Sequence, residues 1–327
     1  MINLKKLILI LFITNTGCLL QSKQPTTLFC HGIVDSKSQA DRYQDFLQEP
    51  KVAFDFPDAQ EPSGLNFNNL IFNSCAFCGK KPVNLEKMYM GQGPDITALK
   101  KQIHPKESYV LYGLSRGGST IVNYLAQNNP KNIQAVVLDA APADMVSTVN
   151  ILQHTIGYKL APTRAYQEYV FNTLFPAYPI NSITPLQDIA RINNKNLPVL
   201  IVHSHKDTRV HISSAWQLYL AFKQAHFTNV YLLELTQGTH AHYMKGPEKN
   251  VYLNALHSFY KKYNLAHNSE QSNINLQELQ PSQSKISEKL QTYYDQLEDT
   301  YQKQNQFNKN IIAGLLLITG ISYLYRP

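Results

Sequence analysis

Ser115 stands in Gly113-Leu114-Ser115-Arg116-Gly117-Gly118, after the apolar run Tyr109 to Tyr112 and before an amphipathic stretch. A strand before and a helix after is the context that a G-x-S-x-G turn requires. Such a turn holds its serine at a strained backbone position, and small residues at 113 and 117 let strand and helix approach. The helix start would bring backbone N–H groups and a positive dipole end to a reacting oxygen. A serine hydroxyl is a weak nucleophile at neutral pH and needs a base beside it. His240 and His242 follow the last apolar run of the middle region. His240 is favoured, because Gly238 bends the loop toward the other strand ends. The imidazole in turn needs a carboxylate to fix its tautomer and stabilise its cation. Asp207, just after the run 198–202, is the first choice; Asp139, after 135–138, is the alternative. The plain alternatives are a helix-capping serine, a surface-loop histidine and a turn aspartate.

These residues need strands to hold them. Short apolar runs predict strands over 27–30, 52–56, 109–112, 135–138, 198–202 and 230–234. Between them, helical periodicity appears over 38–47, 96–103, 120–127, 215–222 and 251–260. Strands alternating with helices imply an α/β fold, a mostly parallel sheet covered by helices on both faces. Ligands then bind at the carboxyl ends of the strands. The stretch 145–195 breaks the rhythm. It is helix-like and aromatic (Tyr158, Tyr166, Tyr169, Phe171, Phe175, Tyr178) and reads as a helical cap over the strand ends, at about 143–195.

The chain order Ser115, Asp207, His240 is that of the α/β-hydrolases. Residues 26–264 resemble an α/β-hydrolase-fold serine hydrolase of the esterase, lipase or peptidase kind. His31-Gly32, directly after the first strand, matches the family's His-Gly oxyanion turn. The resemblance implies that the backbone N–H groups of Ile33 and Arg116 bind the tetrahedral oxyanion. It also implies that His31, Gly32, Gly113 and Gly117 are structural. The sequence departs from the family in a short start, in the unmatched stretch 63–84, and in the bulky charged Arg116. That side chain meets either an acidic group of the substrate or a local carboxylate.

The ends differ from the middle. Residues 1–22 combine Lys5 and Lys6 with an apolar run, 7–13, as a signal peptide or N-terminal membrane segment does. Thr16-Gly17-Cys18 resembles a lipidation site, with Asn15 as a departure. After the hydrolase domain at 23–264, residues 265–284 read as a polar linker. An amphipathic helix is expected over 285–308, with a seam of Ile286, Leu290, Tyr293, Leu297 and Tyr301. It suits a stalk, a self-associating coiled coil, or a helix lying back on the domain. Residues 309–327 are expected as a membrane-associated or transmembrane segment, although the uncharged stretch 311–325 reaches only about 22 Å as a helix against a bilayer core of ~30 Å. The resulting location is exported or membrane-associated, of the bacterial-envelope kind.

The chain has 327 residues, 43% apolar and 16% charged, which excludes disorder as its main state. Its 30 basic and 23 acidic residues give +7, scattered without a basic block, so a nucleic-acid partner is not expected. Four cysteines do not make a disulfide scaffold. Cys75 and Cys78 have CxxC spacing, which is half a zinc site at most; a disulfide or two thiols is the expectation, and no metal. The expected activity is cleavage of an acyl ester, thioester or amide of a small or lipid-like substrate through an acyl-enzyme, without a cofactor. A small serine peptidase is the second reading. A non-catalytic tethered binding protein on the same scaffold is the rival from another class.

Overall fold

The computed structural model describes residues 23–33, 35–60, 87, 89–144, 177–178, 184–240 and 242–324. Six strands form one sheet: β1 (Thr26–Cys30), β2 (Lys51–Phe54), β3 (Tyr109–Leu114), β4 (Ile133–Asp139), β5 (Val199–Ser204) and β6 (Val230–Leu235). Their order is β2-β1-β3-β4-β5-β6, and every pairing is parallel. β1, β3 and β5 are buried along their whole length. A parallel strand covered on both faces needs apolar side chains in both directions, so the sequence shows continuous runs rather than alternation.

Helices α1 (Pro94–Gln102), α2 (Arg116–Asn128), α3 (Ser213–Gln224) and α4 (Lys249–Lys262) cover the sheet. One core joins Leu28, Leu111, Val136, Ile201 and Leu232 to α1, α2 and α3. The other joins Phe29, Tyr112, Val137, Leu200 and Tyr231 to α4. Alternate residues of each strand point to opposite faces, which splits the runs between the two cores. The chain leaves β1 first toward β2 and then crosses to β3. The sheet therefore reverses its winding between β1 and β3, where parallel sheets open a crevice at their carboxyl ends.

The expected helix over 38–47 is a 3-10 element, Lys37–Tyr43. Of the segment expected as a cap, residues 145–176 lie outside the described residues. Its end returns to the core: Ile189 and Ile192 are buried there, next to a helical turn at Pro185–Asp188. Cys18, Cys75 and Cys78 and the expected signal segment also lie outside the described residues. Cys30 is a buried free thiol.

The stretch 265–284, expected as a linker, packs on the domain instead. Leu265, Leu276 and Leu279 are buried against the α4 side. Gln280 Nε2 donates to the Val230 carbonyl on the edge strand β6. Three well-spaced leucines suffice to dock a stretch whose composition is otherwise polar. A single 42-residue helix, α5 (Gln283–Leu324), follows. Its seam lies back on the domain, with Ile286 buried in the core and Leu290 and Tyr293 packed against it. Among the described residues no helix is long and apolar enough to cross a membrane. The side chains of 307–324, within the membrane-associated segment expected over 309–327, lie outside the described residues.

Candidate active site

Ser115 follows β3 at φ 51° and ψ −118°, a conformation that a side-chain-bearing residue rarely adopts. Its surroundings hold it there. The Ser115 N–H donates to the Asp139 carbonyl at 2.7 Å, and its own carbonyl accepts from Gly118 at 2.9 Å. A Cβ at Gly113 would lie 2.6 Å from the Gly118 nitrogen, and one at Gly117 would run into the Cys30 carbonyl. Glycine is required at both places because strand and helix touch backbone to backbone. The turn aims Ser115 at the crevice between β1 and β3. A Cβ on Gly32, after β1, would sit 3.6 Å from the Ser115 Cβ.

His240 reaches the same point from the loop after β6, past Gly238 at φ 100°. Its Nε2 is 3.0 Å from Ser115 Oγ, and its Nδ1 is 2.7 Å from Asp207 Oδ2. In the neutral imidazole with its proton on Nδ1, that atom donates to the carboxylate, and Nε2 accepts the serine hydroxyl. Asp207 sits in the loop after β5. Its Oδ1 accepts the N–H groups of Arg209 and Val210 at 2.9 and 3.0 Å. Its Oδ2 also accepts the Tyr243 hydroxyl at 3.1 Å. Burial alone would raise this carboxyl, but the hydrogen-bonded His240 ring and the nearby His203 ring outweigh it. The net result lies far below the usual carboxylate range. Asp207 is thus kept ionised behind the imidazole.

The alternatives fall elsewhere. His242 is exposed. Asp139 turns its Oδ2 to the hydroxyls of Tyr112 and Tyr252, each at 2.9 Å. Burial pushes its carboxyl up to about 7.

The His31 ring is fully buried: Nδ1 donates to the Gly32 carbonyl at 2.7 Å and Nε2 accepts the Phe56 N–H at 3.1 Å. Both ring nitrogens are engaged, and burial lowers the ring's proton affinity. It therefore braces the turn that carries Ile33. Gln39 completes the brace by accepting the Gly32 N–H at 2.8 Å. Across the crevice, Arg116 is the first residue of α2, where backbone N–H groups have no partner within the helix.

The Arg116 side chain meets local carboxylates. Its Nε and Nη2 form a fork on Asp95 at 2.8 and 2.6 Å, and Nη1 donates to Asp58 at 2.7 Å. All three side chains are buried, and the guanidinium lies 4.6 Å from the Phe56 ring centre. The residues that sequence reasoning missed are Asp58, Asp95, His203 and Tyr243. Asp95, beside Pro94 at a helix start, reads as an ordinary first-turn acid; a buried Arg116 directly after the serine is the signal that it needs partners.

A parallel sheet with a serine on a strained strand-to-helix turn, and with Asp and His after later strands in that order, defines a serine hydrolase of the α/β-hydrolase fold. Within that class, the sequence model of the prolyl oligopeptidase family matches residues 97–266, and the chain belongs to that family. No curated protein matches the chain. Solved structures similar to it include an esterase from Pyrococcus furiosus, 19% identical, covering 74% of this chain and 83% of that one at a TM-score of 0.49. Another is an acylaminoacyl peptidase from Pyrococcus horikoshii, 12% identical, covering 80% of this chain and 40% of that one at 0.49. A third is an esterase from Exiguobacterium antarcticum, 13% identical, covering 73% and 92% at 0.45.

Proposed function

We propose that this hydrolase cleaves a carboxylic ester, or a thioester or amide, through an acyl-enzyme on Ser115. The observation that carries the reading is the unbroken line Ser115 Oγ, His240 Nε2, His240 Nδ1, Asp207 Oδ2, at 3.0 and 2.7 Å. His240 takes the hydroxyl proton as Ser115 Oγ bonds to the acyl carbon. The carbonyl oxygen becomes an oxyanion, held by the N–H groups of Ile33 and Arg116. His240 then gives the proton to the leaving group as the old acyl bond breaks. Water repeats the sequence: His240 removes its proton, the hydroxide adds to the acyl carbon, and the carboxylic acid leaves as Oγ regains a proton. Asp207 stays ionised throughout. No metal or cofactor takes part in this scheme.

A second reading, a small serine peptidase, is supported by the family match. The test compares p-nitrophenyl esters of rising chain length with N-acyl-aminoacyl p-nitroanilides on the full chain. We expect ester turnover to exceed anilide turnover. Ser115→Ala and His240→Ala are each expected to lose about 10³-fold or more in kcat while melting normally. His242→Ala is expected to match the wild type. Large loss in His242→Ala with little in His240→Ala would reassign the base. Failure of a fluorophosphonate probe to label folded wild type would restore the binding-protein alternative.

A further inference from the structure

We propose that His203 is a positioning residue that holds the Asp207 carboxylate for His240; the proposal rests on the catalytic reading above. His203 is the last residue but one of β5 and is completely buried. Its Nε2 lies 2.7 Å from the Val210 carbonyl and 3.4 Å from Asp207 Oδ2. Both oxygens accept only, so the ring carries its proton on Nε2 and donates it to Val210, with the same N–H edge at longer range from Asp207 Oδ2. Asp207 Oδ2 is the same oxygen that receives His240 from the other side. The carboxylate is therefore flanked by two imidazoles, one at the end of β5 and one on the loop after β6.

The contact also closes the loop that carries the acid. Val210 donates its N–H to Asp207 Oδ1 and accepts the His203 proton on its carbonyl. The carboxyl plane is thus set from both ends of the loop. An apolar side chain would fill a strand interior at less cost, because the His203 Nδ1 is buried with no hydrogen-bond partner among the described residues. Such an unmet atom costs about 1–3 kcal/mol, which argues that the Nε2 proton is what the position is for.

Other titratable groups face this pair from the surrounding elements. They are Tyr243 and His240 beyond β6, Asp139 at the end of β4, Tyr43 from the 3-10 element, and His211 ahead of α3. The positive N–H edge of His203, 3.4 Å from Oδ2, draws negative charge away from His240. Without it, the carboxylate stabilises the His240 imidazolium more strongly, and the acid limb of kcat/KM moves to higher pH.

The experiment uses the full chain with a p-nitrophenyl ester found to be turned over. His203→Phe and His203→Met remove the donor; His203→Gln keeps an N–H near the Nε2 position. Active sites are titrated with a fluorophosphonate, so that kcat is per competent molecule. We expect His203→Phe and His203→Met to lower kcat about tenfold with KM little changed. The acid limb should move up by about half a pH unit, and His203→Gln should recover most of both effects. Lower titre with a wild-type acid limb and wild-type kcat per site would overturn the proposal. Failure of both donor-less variants to fold would also count against it, since His203 would then belong to the fold rather than the site. Ser115→Ala is run in parallel. If it retains turnover, the catalytic reading fails; if it is dead while His203→Phe behaves as wild type, only the present inference fails.

Discussion

Asp139 and Asp207 follow adjacent strands, and their surroundings drive them in opposite directions. Asp207 gains two backbone N–H groups and His240, and it stays ionised. Asp139 gains two phenol hydroxyls, but its deep burial outweighs them and pushes it up to about 7. Environment alone thus separates two chemically identical acids into one fit to serve an imidazole and one that keeps its proton up to near neutral pH. The consequence for stability has a definite sign. A carboxyl whose folded pKa is raised contributes stability below its unfolded value of 3.8, and that contribution is lost as pH rises through about 7. Asp139→Asn removes this slope. Urea unfolding of both proteins from pH 4 to 8 should show the wild type losing ground to the variant as pH rises. A constant difference would show that Asp139 does not titrate in this range. Arg116 gives a second prediction at this scale. Arg116→Met leaves the carboxylates of Asp58 and Asp95 buried without a cation, and stability should fall by about 3–5 kcal/mol in urea melts. A loss under about 1 kcal/mol would mean that the pair finds water or protons at little cost.

At the scale of elements, the turn between β3 and α2 has the least freedom. The Gly117 Cα faces the Cys30 carbonyl so closely that even a methyl group has no room. Gly117→Ala must push β1 away from α2, and β1 carries His31, Gly32 and Ile33. We expect loss of activity beyond 10²-fold, together with a melting temperature lowered by several degrees. Unchanged kinetics would show that the two elements separate without disturbing the turn. The turn, the strands and the order Ser115, Asp207, His240 were legible because each depends on local pattern: an unbroken apolar run, two glycines, a residue just past a strand end. The fork of Arg116 on Asp95 and Asp58 was not, since it joins residues 21 and 58 positions apart. Nor was His203, which reads simply as a polar residue closing an apolar run. Pattern marks which residues are buried, but a buried polar group's partner comes from another part of the chain.

For the molecule as a whole, the tail after Asn264 is part of the folded domain. Residues 265–294 do more than connect. Leu276, Leu279 and Ile286 enter the two cores. The Lys289 ammonium sits 2.8 Å from both oxygens of Glu234 on β6. Tyr293 stacks on His211 at 4.1 Å, with the rings 18° from parallel. His211 lies four residues beyond Asp207, so the helix supports the loop that holds the acid. Ahead of the helix, the stretch 276–280 lies against β6, with Gln280 Nε2 on the Val230 carbonyl, at an edge strand that would otherwise offer unpaired backbone to other chains. Ending the chain after Asn264 removes all of this. Burial of three aliphatic side chains is worth about 1.5–3 kcal/mol each as an upper range, so the shortened protein should unfold several kcal/mol earlier in urea and self-associate through β6. Ending it after Gln296 keeps every contact named here and should leave stability as it is. The two truncations also separate support from mere attachment: with support, the shorter chain has a reduced kcat per titrated site even where it is folded. Equal melts and equal kcat for chains ending at 264, 296 and 327 would mean that the docked helix rests on the domain without holding it.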